Sequence, residues 1–212
     1  MNYIDMIGKK FSDNHIKVYQ YHLRDRLKEV FDFEDVYEEW SAMRDEYGLS
    51  IYCPRLDIAV GPFATHERLG HIYDGMLRNP VIESFLRKLV EYNKVNLERY
   101  QDGFVLPSEY EEILFTNYNA RCFISIEIEH MVSRKHLIGG AVNASALGRF
   151  GIIMPWSDEK LKAFVKLIRY FRYLNYADKN TFNTSNLLIV TKEQMDNAIV
   201  EILNQKNQNE FQ

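Results

Sequence analysis

Residues 121–136, RCFISIEIEHMVSRKH, begin as a strand and end by entering a helix. Side chains two apart on a strand share a face, so Glu127 and Glu129 project together while Ile126 and Ile128 point the other way. A buried apolar strand tolerates neither carboxylate without a cause. A second extended stretch, LSIYCPRLDIAVGPF at 49–63, sets Leu56, Ile58 and Val60 on one face and Asp57 and Ala59 on the other. Gly61-Pro62 ends it. If these two strands are neighbours, about 5 Å apart, three carboxylates converge on one patch. Such a cluster is strongly unfavourable unless a cation occupies it, and oxygen donors of this kind suit Mg²⁺ or Mn²⁺. The bland reading is a solvated strand face, on which alternating Glu is common.

The chain after the strand favours the metal-binding reading. SRKHLIGGAVNASALGR, residues 133–149, reads as a helix capped by Ser133, with Lys135 in its first turn. Its Gly139, Gly140, Ala141, Ala144, Ser145 and Ala146 let it press closely on a sheet. FGIIMPW, residues 150–156, is then a short interior strand, and NLLIV at 186–190 another.

The remaining chain fills in around these strands. Ile16 to Tyr47 carries a helical apolar period, broken near Asp32 to Asp35 and closed by Gly48. Asn79-Pro80 caps a helix to about Tyr100, and Ser108 with Glu111 forms a capping box for another through Thr116. Ser157 caps a helix to about Tyr176, and Thr191 with Gln194 opens a last one to Leu203. The expected layout is one α/β domain over 1–204, a mixed sheet flanked by helices, with a helical insertion at about 65–119. The polar tail of 205–212 lies outside it.

Bulk properties narrow the classes. The chain has 212 residues, of which 46% are hydrophobic and 14% aromatic, a globular composition. No apolar run approaches the roughly 20 residues of a membrane span, and Met1 to Lys10 lacks the form of a secretory signal, so a cytoplasmic protein is expected. Cys53 and Cys122 form no metal or disulfide pattern and read as buried free thiols. A net charge of −4 leaves any nucleic-acid binding to a local basic surface.

The two strands and the helix after them carry a resemblance to the PD-(D/E)xK nuclease superfamily, the restriction-endonuclease-like fold. PRLD supplies Pro54 and Asp57, and IEIE supplies Glu127 and Glu129. The order helix, Asp strand, Glu-x-Glu strand, helix, strand extends over roughly 36 to 155. The resemblance implies that Asp57 and Glu127 are metal ligands. Glu129 stands where the family usually has lysine, resembling a second carboxylate acting on metal or water, and Lys135 on the neighbouring helix resembles a migrated lysine. Glu39, on the expected helix before the Asp strand, matches a further metal-binding carboxylate of several members, although Glu38, Glu39 and Glu46 read more simply as a solvated face.

Lys162, Lys166, Arg169 and Tyr173 fall on one side of the expected 159–176 helix, opposite Leu161, Phe164, Ile168 and Phe171. Such a stripe suits phosphates, as it also suits plain solvent. Arg121, Arg134, Lys135, His136 and Arg149 are expected to flank the carboxylates. His66 and His71, five apart, share no helical face for zinc. No phosphate-binding Gly loop and no Gly-x-Ser-x-Gly elbow occurs. Two functions remain: a Mg²⁺- or Mn²⁺-dependent nuclease acting on DNA, in keeping with a homodimer, or a nuclease-fold subunit that binds nucleic acid or serves assembly without cleaving.

Overall fold

The computed structural model describes residues 13–43, 53–100, 109–130, 134–179 and 183–209. Helix α1 (Asp13–Phe31) buries Ile16, Tyr19, Leu23, Leu27 and Val30, a stripe at three- and four-residue spacing. It stops at Asp32, which takes the left-handed conformation (φ 56°) that Asp adopts more readily than most side chains. The helical period does not resume. Residues 36–41 form strand β1 (Val36–Ser41), correcting the expected continuation of the helix. Here β-branched and aromatic residues pair antiparallel with β2 (Arg55–Val60), and that pairing overrides a weak helical pattern. The expected end of that helix near Tyr47, Gly48 and the start of the 49–63 stretch lie outside the described residues.

The expected insertion comprises α2 (Gly70–Leu77), α3 (Pro80–Arg99) and α4 (Tyr110–Thr116). Asn79 caps α3 as expected, its side chain accepting from the Val81 N–H at 2.9 Å. The cap of α4 is Glu109, whose N–H donates to Glu112 Oε2 at 3.3 Å, one position beyond the expected Ser108 and Glu111. Ser108 lies outside the described residues.

Strand β3 (Cys122–Glu129) leads through residues outside the described set, Ser133 among them, to α5 (Arg134–Leu147). Strand β4 (Gly148–Pro155) comes directly after it, so Arg149 belongs to the strand and not to the helix end. Ser157 caps α6 (Asp158–Tyr176). Strand β5 (Leu187–Ile189) precedes α7 (Lys192–Asn209), opened by the expected pair: Thr191 N–H to Gln194 Oε1 at 2.9 Å and Gln194 N–H to Thr191 Oγ1 at 3.3 Å. Helix α7 continues past Leu203 into the stretch expected as tail.

The five strands lie in the order β1-β2-β3-β4-β5, antiparallel from β1 through β3 and parallel from β3 through β5. All eight residues of β4 are buried, as an interior strand requires. One sheet face, with Ile58, Val60, Ile124, Ile126, Ile152, Met154 and Leu188, packs on α1, α3 and α7. The other, with Ile153, Leu187 and Ile189, packs on α5 and α6. The β5 edge is covered by α3: Ile189 N–H donates to Asn93 Oδ1 and its carbonyl accepts from Asn96 Nδ2, both at 2.9 Å. The β1 edge carries charge instead, with Glu38 paired to Arg24 of α1 at 2.9 Å and Glu39 to Arg55 at 2.7 Å.

Helix α5 sits very close to β4. A Cβ on Gly151 would lie 2.8 Å from the Ala144 backbone, and one on Gly148 would lie 2.3 Å from Ser125 Oγ. Buried Asn186 ties the same elements together, donating to the carbonyls of Ser145 and Gly148 at 2.9 Å and accepting from Ser145 Oγ at 2.8 Å. The close approach expected from the small residues of α5 therefore falls at Ala144, Ser145 and the strand glycines.

Candidate functional site

Strands β2 and β3 pair as Ile58↔Ile126, Ala59↔Ser125 and Val60↔Ile124. One further step in that register sets Asp57 opposite Glu127. At this point a side chain takes over from the ladder: Asp57 Oδ2 accepts from the backbone N–H of Ile128 at 2.6 Å. Its other oxygen accepts from Gln20 Nε2, on α1, at 2.8 Å. Glu127 Oε1 accepts from Asn143 Nδ2, on α5, at 3.4 Å. The two carboxyl groups themselves come within hydrogen-bonding reach of each other. So the sheet brings the acids together, and one helix from each layer supplies an amide to hold them.

Their protonation reflects that crowding. Burial pushes Glu127 up to about 9, the Asp57 charge adds to the rise, and the Asn143 hydrogen bond opposes it. Burial also raises Asp57, to about 6; the Ile128 N–H pulls it back, while Glu39 and Glu129 push it higher. Both carboxyls are thus pushed toward the protonated form, and the pair as a unit resists carrying two charges. Two carboxyls with one proton between them can hold a hydrogen bond or exchange that proton for a cation.

Glu129 lies two residues beyond Glu127 on the same face, under α5: one of its carboxylate oxygens is 3.8 Å from where a Gly140 Cβ would sit. Glu39 stands on β1, not on a helix. The pairs Glu38↔Ile58 and Trp40↔Leu56 put it opposite Asp57, and its φ of 49° is strained for a side chain of this kind. Both carboxylates act on Asp57 through their charge. Among the described residues, no group of three or more His, Cys, Asp and Glu side chains is set closely enough to hold a metal ion as they stand.

The basic residues divide into two sets. Arg134 and Lys135 open α5, and both Lys135 and His136 are exposed there. Arg121 and Arg149 lie at the far end of the sheet, correcting the expectation that they flank the carboxylates. Arg121 precedes β3, roughly 20 Å along the strand from Glu127 at about 3.3 Å per residue. It is bonded to the carbonyls of Ala42 and Ala64. Arg149 is 0% exposed, paired with Asp74 at 2.9 Å and donating to the Tyr118 carbonyl at 3.0 Å. Lys162, Lys166 and Arg169 lie on α6, with Lys162 and Lys166 exposed and Arg169 partly so.

The sequence reading missed Gln20 and Asn143. Gln20 had a signal: it falls within the apolar stripe of Ile16, Leu23 and Leu27 and is 5% exposed, and a polar group in such a stripe needs a buried partner. Asn143 had none beyond its place on the small-residue helix. Cys53 and Cys122 are free, Cys122 fully buried and Cys53 only partly so.

Compared with known protein families, with curated proteins and with solved structures, the chain matches none. Among the described residues, no helix is long and apolar enough to cross a membrane.

Proposed function

We propose that this chain is a metal-dependent nuclease that hydrolyses DNA phosphodiester bonds, built on a restriction-endonuclease-like fold. The observation that carries the reading is the Asp57 and Glu127 pair, two buried carboxyls forced together across adjacent strands. The element order supports it: a helix, two antiparallel strands, the helical insertion α2 to α4, a third antiparallel strand, a helix and a parallel strand, with the acids on the second and third strands. Residues spread over several elements and both helical layers converge on one spot, more than a solvated face needs.

The donor set fits a hard divalent cation. Carboxylate oxygens are its preferred ligands, and each Asp57 oxygen keeps lone-pair capacity beyond its one hydrogen bond. Asp57 and Glu127 would hold Mg²⁺ or Mn²⁺, with Glu129 and Glu39 adding negative charge nearby. When bound, such an ion polarises a phosphoryl oxygen and lowers the pKa of water. Gln20 and the Ile128 N–H orient Asp57, and Asn143 orients Glu127, so the acids stay aligned before any substrate arrives. The Glu127 proton must leave before that carboxylate can serve as a ligand, which makes occupancy pH-dependent.

A second reading is a nuclease-fold subunit that binds nucleic acid without cutting it. It is favoured by the exposure of Lys135, which leaves a migrated-lysine role without buried support. Cleavage of single-stranded, duplex and branched DNA with Mg²⁺ or Mn²⁺, together with Mn²⁺ titration calorimetry, separates the two. Metal-dependent cutting lost in Asp57→Asn supports the nuclease. Absence of both Mn²⁺ binding and cutting in the folded wild type removes the nuclease reading.

A further inference from the structure

The outer face of α6 holds more than charge. From Lys160 to Ala177 the chain carries Lys160, Lys162, Lys166, Arg169 and Arg172 and no acidic residue, in a protein whose net charge is −4. At 100° per residue, Lys162, Lys166, Arg169, Tyr170, Tyr173 and Tyr176 fall on one side, opposite Leu161, Phe164, Ile168 and Phe171. The latter four are buried in the α5 and α6 layer. The three tyrosines are exposed, Tyr170 by 53%, Tyr173 by 67% and Tyr176 by 79%. Large rings left in water along a cationic stripe suit a partner that is anionic and aromatic at once.

The placement joins this stripe to the carboxylates. Strand β4 ends at Pro155, the register partner of Glu129, and α6 starts at Asp158. Lys160 Nζ donates to the His130 carbonyl at the end of β3. From Lys162 the stripe runs about 21 Å to Tyr176, at about 1.5 Å per residue. Its cations come first, nearest the carboxylate end, and its tyrosines come after them. A second copy of this face would set like charges against each other, so the stripe does not favour self-pairing.

We propose that this face of α6 is a track for single-stranded DNA, with phosphates on Lys162, Lys166 and Arg169 and unpaired bases stacked on Tyr170, Tyr173 and Tyr176. Only unpaired bases offer their faces for stacking on a side chain, whereas a duplex keeps those faces stacked and presents base edges and phosphates. The inference rests on the nuclease reading in taking DNA as the polymer; the contacts themselves involve no cleavage.

Fluorescence anisotropy with a labelled oligo(dT) of about 12 nucleotides, within the usual single-strand site size, tests this in EDTA, where no metal-dependent cutting can occur. The expected results are a salt slope of about −2, from roughly three phosphate contacts, and weakening on the order of tenfold in Tyr173→Ala/Tyr176→Ala. Tyr173→Phe/Tyr176→Phe, which keeps the rings, should bind like wild type, and Lys162→Glu/Lys166→Glu should lose both affinity and salt slope. Circular dichroism checks that each variant is folded. Absence of binding by wild type overturns the track, as does equal binding by the alanine pair. So does tighter binding of a hairpin duplex, of oligo(rU) or of anionic vesicles, or a tyrosine effect seen only in sedimentation as a change of oligomer. Failure of cleavage in the separate metal assay removes the nuclease reading and leaves this binding result untouched.

Discussion

Asp57 accepts the backbone N–H of Ile128 at 2.6 Å, so the acid of β2 is fastened to the strand that carries Glu127 and Glu129. A carboxylate that satisfies a backbone donor of the neighbouring strand cannot swing away to relieve repulsion. The crowding of charge at this point is therefore part of the folded state.

Asp57→Asn and Glu127→Gln should each abolish metal-dependent cleavage while leaving the fold intact, because loss of an anionic ligand removes the polarisation that drives hydrolysis. Each keeps the shape of the side chain it replaces and the ability to hydrogen-bond. Melting curves and a cleavage time course on the same preparations decide the matter; full activity in either folded variant would remove that residue from the site.

Without metal, stability should fall as pH rises. The folded pKa of Glu127 lies near 9 against an ordinary 4.5, and that of Asp57 near 6 against 3.8. Folded chains thus bind more protons than unfolded ones between those limits, and a group raised on folding contributes stability that is full below its unfolded pKa and lost as pH climbs through the folded one. The window runs from 4.5 to about 9 for Glu127. Urea unfolding in EDTA at several pH values should show this decline, and Glu127→Gln should flatten most of it. A flat wild-type profile would mean that the pair is not buried in solution.

Gln20→Ala should weaken Mn²⁺ binding by roughly 10- to 100-fold, the usual effect of removing a group that orients a metal ligand. Calorimetry on Gln20→Ala and Gln20→Asn reads this directly. Unchanged affinity in both would show that the Ile128 N–H alone suffices to orient Asp57.

On the proposed nuclease reading, Glu129→Ala should lower Mg²⁺ affinity and activity together, since it would remove negative charge beside a hard cation. Glu129→Lys distinguishes two roles. Partial activity means that lysine restores the arrangement common in the resembled superfamily, and complete loss means that Glu129 supports a second ion. Equal metal affinity in wild type and both variants would leave Glu129 a surface acid.

Gly151→Ala should destabilise the protein by about 1–3 kcal/mol, the common cost of overpacking. Its Cβ would meet the Ala144 backbone at 2.8 Å, and backbone cannot give way as a side-chain tip does. Denaturant unfolding measures the loss; a neutral result would mean that α5 shifts outward at no cost.

Much of this was legible from residue order. The alternation in IEIE and RLDIAV placed Glu127 and Asp57 on strands, and FGIIM announced an interior strand because nothing in it tolerates water. Asn79-Pro80 and the Thr191 and Gln194 box marked helix starts through local hydrogen bonding, which needs no tertiary context. What escaped was set by partners distant in sequence. VYEEW carries helical spacing as well as strand residues, and its pairing with β2 decides between them. The strained φ of Glu39 and the hold of Asn143 on Glu127 have no local signature. Residue order alone sets Arg149 near the carboxylates, whereas its place in β4 puts it beside Asp74.

The contact of α5 with β4 has a bearing on how this chain can diverge. Gly148 and Gly151 admit no side chain without moving their neighbours, while Asp57 and Glu127 cost stability in the absence of a ligand. Selection for folding alone would thus keep the glycines and erode the acids, and a lineage that gave up its chemistry would shed the carboxylates first. Descendants that retain both would record, in that retention, a continuing use for the site.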